Sequence, residues 1–346
     1  MLEIDGSKKS GSGTILRLSL AISAILNEPL HITNIRSKRP QPGLKPQHLE
    51  ALLTAAKLCN ATAKGAELRS KELWFYPGKI VGGRLEAQIG TAGSIPMLLI
   101  TVLPICALAE EPVTIDISQG GTDVSHSPTI NYLSHVFLTI LARMGLETSL
   151  KIHKYGYYPK GMGEVSVYIK PNRRLNSLFL DEFGQLNSIT GISVCTHLAS
   201  RRVAERQAKA AEGFLRERGQ EAEIEVINDF SNPVQKGSSL TLWATTNRGA
   251  ILGADAIGEL RKPSERVGTE AANYLLQEIA SKATVDLHLA DLLIPYMALA
   301  AEPSVFQVRA TSDHLNTNIW LMNEHLDARF KMERIGKLYQ VTKEAT

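Results

Sequence analysis

The sequence predicts an α/β protein of the α+β kind: a large domain of three repeated β-α-β-β units, with a smaller α/β domain inserted before the third. Two observations lead there. The order strand, polar loop, helix, strand, strand recurs at His31–Pro77, Val113–Pro171 and Val305–Val341. Between the second and third copies, Ile189–Lys282 breaks that order and carries a longer, more charged helix. The boundaries fall near residues 185 and 283, so residues 1–185 and 283–346 form the large domain and 186–282 the insert. With 346 residues, 44% hydrophobic and 21% charged, the chain can bury a sizeable core.

In the first copy, Leu30, Ile32 and Ile35 read as a strand, and Leu49, Leu52, Leu53 and Ala56 recur at helical spacing behind Pro46. A proline suits a first helical turn, where its missing N–H costs nothing. Strands Ala61–Ala66 and Glu72–Tyr76 follow. In the second copy, Thr114–Ile117 is the strand, Gln119–Pro128 the loop, and Ile130–Met144 an amphipathic helix closed by Gly145. The alternating strands Thr148–Ile152 and Glu164–Ile169 complete it.

The insert reads strand Ile189–Thr196, helix Arg201–Arg218, strands Glu221–Ile227, Leu240–Ala244 and Ala250–Leu252, and helix Ser264–Ala280. In the third copy, Val305–Val308 is a strand, Ala310–His314 a polar loop, Thr317–His325 a helix, and Ala328–Met332 and Lys337–Val341 strands.

The formal net charge is only +3, so a nucleic-acid contact must come from local basic patches. Cys59, Cys106 and Cys195 lie far apart in apolar stretches, as expected of buried thiols in a cytoplasmic protein. The most apolar run, Ile95–Ala109, carries Pro96 and Pro104 and is shorter than the roughly 20 residues of a membrane span, so no membrane partner is expected.

The loop Ile35–His48 packs four cations, Arg36, Lys38, Arg39 and Lys45, and three prolines between an apolar strand and an apolar helix. Full charges beside a helix N-terminus suit an anion, phosphate above all. The loop Asp5–Thr14 is rich in glycine and serine, which permits close backbone approach to a phosphate, and precedes an apolar helix bearing Arg17; its spacing is not that of a P-loop. His314, after Asp313 on a polar loop, is the best candidate nucleophile, since imidazole can attack a phosphoryl centre near neutral pH. Asp291 lies within an apolar helix, where capping or surface exposure is the simpler expectation. No HExxH or GxSxG pattern is present.

At Pro42–Leu49, Gly65–Leu68, Thr91–Ser94, Gly120–Asp123, Gly156–Gly161 and His314–Ile319 the chain resembles the RNA 3′-terminal phosphate cyclase family over nearly its whole length. The resemblance implies three repeats like the C-terminal domain of a bacterial translation initiation factor, with a thioredoxin-like insert. It also implies an ATP-dependent reaction at an RNA 3′ end. A histidine is adenylylated, AMP passes to the 3′-phosphate, and the 2′-hydroxyl closes a 2′,3′-cyclic phosphate. His314 matches that histidine. Arg17, Arg39, Pro128, His288, Asp291 and Leu292 match positions near the nucleotide, and Arg36, Lys45, Gln47 and His48 positions near the phosphates of the RNA end. A divalent metal, Mg or Mn, is implied as well, with its ligands left open.

The family's first loop reads Gly-Glu-Gly-Gly-Gly-Gln where this chain has Lys9–Thr14, so the metal-associated glutamate is Ser10 here. Expected glutamines are Ile100 and Leu292, an expected aromatic is His288, and the middle glycine of a triplet is Met162. These departures keep open the alternative of a catalytically impaired relative that binds RNA or ribosome-assembly factors. Retention of His314 favours the enzyme.

Overall fold

A computed structural model describes residues 1–345. The first unit comprises β1 (Leu2–Asp5), α1 (Gly13–Leu26), β2 (Leu30–Thr33), α2 (Pro46–Leu58), β3 (Thr62–Lys64) and β4 (Leu73–Tyr76). Its sheet runs β1-β2-β4-β3, with β1 parallel to β2 and β4 antiparallel to both neighbours. The second unit has β5 (Gly83–Gln88), α3 (Ile95–Cys106), β6 (Val113–Gly120), α4 (Ile130–Tyr132), α5 (Leu138–Arg143), β7 (Glu147–Lys154) and β8 (Gly163–Lys170). Its order, β5-β6-β8-β7, repeats the same directions. Where the sequence predicts one helix over Ile130–Met144, a π-helical turn at Leu133–Phe137 joins α4 to α5.

The third unit opens with β9 (Phe179–Leu180), and the chain then leaves it for a separate sheet. That sheet holds β10 (Leu186–Thr196), β11 (Glu223–Asp229), β12 (Gly237–Thr246) and β13 (Ile251–Ile257), covered by α6 (Val203–Arg216) and α7 (Ser264–Ser281). β10 is parallel to β11 and antiparallel to β12, which pairs antiparallel with β13. The third unit resumes with α8 (Leu287–Leu299), β14 (Ser304–Val308), α9 (Asp313–His325), β15 (Phe330–Ile335) and β16 (Leu338–Lys343). Its sheet, β15-β16-β14-β9, keeps the topology of the other two.

Each unit therefore has a leading strand and helix ahead of the four elements read from the sequence. In the third unit the extra sheet lies between that strand and that helix. β1 and β9 are only four and two residues long, too short for a period-two signal.

One apolar cluster runs through the three units, and a second lies under β10, β12, β13, α6 and α7. Within the first cluster α1 packs against α2, α3 and α9, and α8 against α3 and α9. These helices meet because their apolar residues cover most of their surface: α1 buries Ile15, Leu16, Leu20 and Ile22, and α3 nearly all its side chains. Among the described residues no helix is long and apolar enough to cross a membrane. The three cysteines are free and buried.

Candidate functional site

The packing that gathers the helices also gathers their N-terminal ends. Ser12 caps α1 by accepting Thr14 N–H at 3.3 Å, Ser94 caps α3 by accepting Met97 N–H at 3.1 Å, and Ser312 caps α9 by accepting Leu315 N–H at 2.8 Å. Asp286 caps α8 by accepting His288 N–H at 2.9 Å and Leu289 N–H at 3.0 Å. The same buried carboxylate accepts Tyr132 O–H from α4 at 2.7 Å and Gly253 N–H from β13 at 2.8 Å, so one group sets where α8 begins relative to both.

The first turns of α1, α2, α3, α8 and α9 line one cleft of about 1020 Å³, together with Ser125–Pro128 ahead of α4 and Asp255 from β13. Each of the three units contributes two of these six corners. Convergent helix N-termini turn partial positive charge toward a common point and make an anion site of the cleft.

All eleven residues singled out from the sequence lie on this cleft: Arg17, Arg36, Arg39, Lys45, Gln47, His48, Pro128, His288, Asp291, Leu292 and His314. Their individual placements differ from expectation in two cases. His314 belongs to the first turn of α9, not to a loop, because Ser312 starts that helix earlier than its apolar periodicity suggests. Asp291 is neither a cap nor surface-exposed: its Oδ1 accepts Ser312 O–H at 2.6 Å, and burial pushes its pKa up to about 6. The cap of α8 is Asp286 instead.

His314 Nδ1 lies 2.8 Å from Thr14 Oγ1, and Arg17 Nη2 donates to the same hydroxyl oxygen at 3.0 Å. Nε2 is the ring nitrogen left for the cleft. Burial, followed by Arg17 and Arg39, holds the pKa of His314 below the usual histidine value, which keeps the ring neutral near pH 7. His48 is pushed down to about 2, first by burial and then by Arg17, Arg36 and Lys45. Its Nδ1 accepts Lys45 N–H at 3.4 Å, which turns Nε2 toward Gly13. A Cβ on Gly13 would sit 2.5 Å from that nitrogen, so glycine is what lets the two helix starts approach.

Arg17 is lowered to about 10 by burial and by Arg36 and Arg39, yet remains charged at neutral pH. Such mutual repulsion is relieved by a bound anion. Arg36, at φ 56°, donates Nη1 to the carbonyls of Gln41 (2.8 Å) and Gly43 (2.7 Å), and so holds the basic loop in shape as well as facing the cleft. Arg39 and Lys45 are exposed at its mouth. Gln47 Oε1 accepts Ser94 N–H at 2.8 Å and ties α2 to the start of α3. Ser10 does not line the cleft: its hydroxyl lies 3.0 Å from that of Ser12, and its N–H donates to Thr317 Oγ1 at 3.2 Å.

Thr14, Ser312, Asp286 and Asp255 carry site geometry without having been singled out in the sequence. Only the pair Thr14 and Arg17, three residues apart and hence on one helix face, left a local signal. Among the described residues, no group of three or more His, Cys, Asp or Glu is arranged to hold a metal ion.

Residues 8–332 match the model of a protein family described as RNA 3′-terminal phosphate cyclase. Curated proteins bearing that name are similar over nearly their full length. The chain is 43% identical to one from Pyrococcus furiosus (96% of this chain, 95% of the relative). It is 44% identical to one from Methanosarcina barkeri (99% of both) and 42% identical to one from Pyrobaculum aerophilum (97% and 96%).

Proposed function

Because the chain belongs to the RNA 3′-terminal phosphate cyclase family, we propose that it uses ATP to convert an RNA 3′-terminal phosphate into a 2′,3′-cyclic phosphate through a His314–AMP intermediate. The observation that carries this reading is the engagement of His314 Nδ1 by Thr14 Oγ1 at the floor of a cationic cleft. With Nδ1–H donated to Thr14, the Nε2 lone pair faces the cleft and can attack.

In the first step Nε2 forms a bond to the α-phosphorus of ATP, and the bond to pyrophosphate breaks. Positive charge develops on the imidazole, and the Nδ1–H···Oγ1 bond strengthens with it. In the second step an oxygen of the RNA 3′-phosphate takes AMP from the ring, which regains its lone pair. In the third the vicinal 2′-hydroxyl attacks the same 3′-phosphorus, loses its proton, and AMP departs. Arg17, Arg36, Arg39 and Lys45 offset the charge gathered on the phosphates throughout.

The nucleotide fits the site: the cleft volume is ample, four cations line it, and Pro128, His288 and Leu292 supply partly apolar walls beside Asp291 for a base and its ribose. A divalent metal has no such preformed cage here, since Ser10 offers no carboxylate and makes its bonds to Ser12 and Thr317. No step above is assigned to it.

The test is incubation with ATP labelled at the α-phosphate and a divalent cation. An acid-labile AMP adduct that vanishes in His314→Ala is expected, and RNA ending in a 3′-phosphate should discharge it to the cyclic product. Absence of the adduct across several metals overturns the reading.

A further inference from the structure

Two large aromatic side chains stand in solvent beside the cleft, on loops that are otherwise tightly held. Tyr158 is 78% exposed and Phe230 63%, with Val234 at 49% between the latter and β12. Both loops are nonetheless held by hydrogen bonds.

Gly161 N–H closes the Tyr157–Gly161 turn onto Tyr157 O at 2.7 Å. The side chain of Asn232, fully buried, donates to Tyr155 O at 2.7 Å and Gly161 O at 3.0 Å. Gln235 accepts Lys160 N–H at 3.2 Å and donates to Tyr158 O at 3.1 Å. Tyr157, the neighbour of the exposed ring, is buried against Gly237, where any Cβ would collide with its ring. Thr196 adds a hydroxyl bond to Tyr157 at 3.3 Å. Hydrogen bonds thus tie the backbone of the two loops together, while the Tyr158 ring is left largely uncovered.

Two features identify the occupant. Lys160 and Lys236 belong to the same two tied loops, are exposed, and have no ion-pair partner among the described residues, so the surface carries cationic with aromatic groups. The surface is also continuous with the cleft: Gly161 packs on Thr91 and Ala92, and Gly121 N–H donates to Gly93 O at 2.8 Å, immediately before the cleft residue Ser94. Aromatic faces beside cations are how sequence-tolerant binding of single-stranded nucleic acid is built, because every base has a face to stack and every linkage a charge.

We propose that Tyr158 and Phe230, with Lys160 and Lys236, form a stacking platform for the unpaired nucleotides just upstream of the RNA 3′ end. The platform holds the strand by base faces and phosphates, without reading sequence, while the terminal phosphate occupies the cleft. It rests on the RNA-end reading above and adds the path of the strand.

The test measures binding of 3′-phosphorylated oligoribonucleotides, from a dinucleotide to a ten-nucleotide unpaired strand, by fluorescence anisotropy. The unchanged protein should gain affinity with length. Each of Tyr158→Ala and Phe230→Ala should cost the long strand about fivefold or more. The dinucleotide should lose nothing, and Tyr158→Phe should bind as the unchanged protein does. Lys160→Ala with Lys236→Ala should make the salt dependence shallower for the long strand only. Equal affinities for the long strand in all variants overturn the platform, and so leave the patch to a protein partner. Equal losses on long and short strands overturn it as well. AMP transfer to His314, measured in the same variants, separates the two readings: no adduct in the unchanged protein defeats the proposed reaction, whereas a normal adduct with length-independent binding defeats only the platform.

Discussion

Replacing Thr14 by valine removes one hydroxyl and almost no volume, and it severs the bond that orients His314 together with the Arg17 bond to the same oxygen. The Nδ1 contact of 2.8 Å and the Arg17 contact of 3.0 Å converge on that oxygen. In the ground state the imidazole is neutral and its bond to the hydroxyl is an ordinary one, worth about 1 kcal/mol. As Nε2 bonds to phosphorus the ring becomes cationic, and a hydrogen bond to a charged group is worth about 1.5–3 kcal/mol. Only the difference, about 0.5–2 kcal/mol, falls on the barrier, and at about 1.4 kcal/mol per factor of ten the adenylylation rate should drop by roughly 2- to 30-fold. ATP affinity should change little, because Arg17 keeps its charge. The assay is a rapid-quench single turnover with labelled ATP, following the His314–AMP adduct. Thr14→Ser retains the oxygen and should stay near the unchanged rate. A valine variant within about twofold of the unchanged protein at saturating ATP refutes the idea that Thr14 orients the nucleophile.

Arg39→Ala should weaken RNA-end binding and flatten its salt dependence by about one unit of slope, as expected for one lost phosphate contact; titrations at several salt concentrations check this. Gly13→Ala places a Cβ 2.5 Å from His48 Nε2 and 3.0 Å from Arg17 Nη1, and should lower both thermal stability and adduct formation; Gly13 is thus a site where even the smallest side chain is costly, readable by melting temperature and adduct yield. His48 has a folded-state pKa of about 2 against an ordinary value near 6.5, so the unfolded chain binds the extra proton. Its contribution to stability is intact above pH 6.5 and is lost as the pH falls from there toward 2, at up to about 1.4 kcal/mol per pH unit. Urea midpoints across that range should show a slope that His48→Gln reduces.

Several candidate residues were readable in the chain because they rest on a local cue. Arg36, Arg39 and Lys45 share one proline-rich loop, Pro46 announces the start of α2, and His314 stands in a polar segment between two apolar ones. Capping serines were less legible. Ser312 draws Asp313 and His314 into α9, and a hydroxyl that accepts one backbone N–H leaves little periodic trace. The reading of Asp291 as a cap failed for a similar reason. Two aspartates lie near the start of α8, and hydrogen-bond geometry, not spacing, selects Asp286 for the cap and leaves Asp291 to Ser312.

By itself the sequence determined the α/β class and four elements of the recurring unit, because strands, amphipathic helices and loops are set by patterns within a few turns of chain. The tertiary structure alone decided that three sheets share one topology and that five helices start at a common cleft. It decided too that Thr14, from the first unit, meets His314, from the third, three hundred positions apart. Those outcomes come from apolar helix faces burying one another across the three units, an interaction whose partners no local window of residues contains.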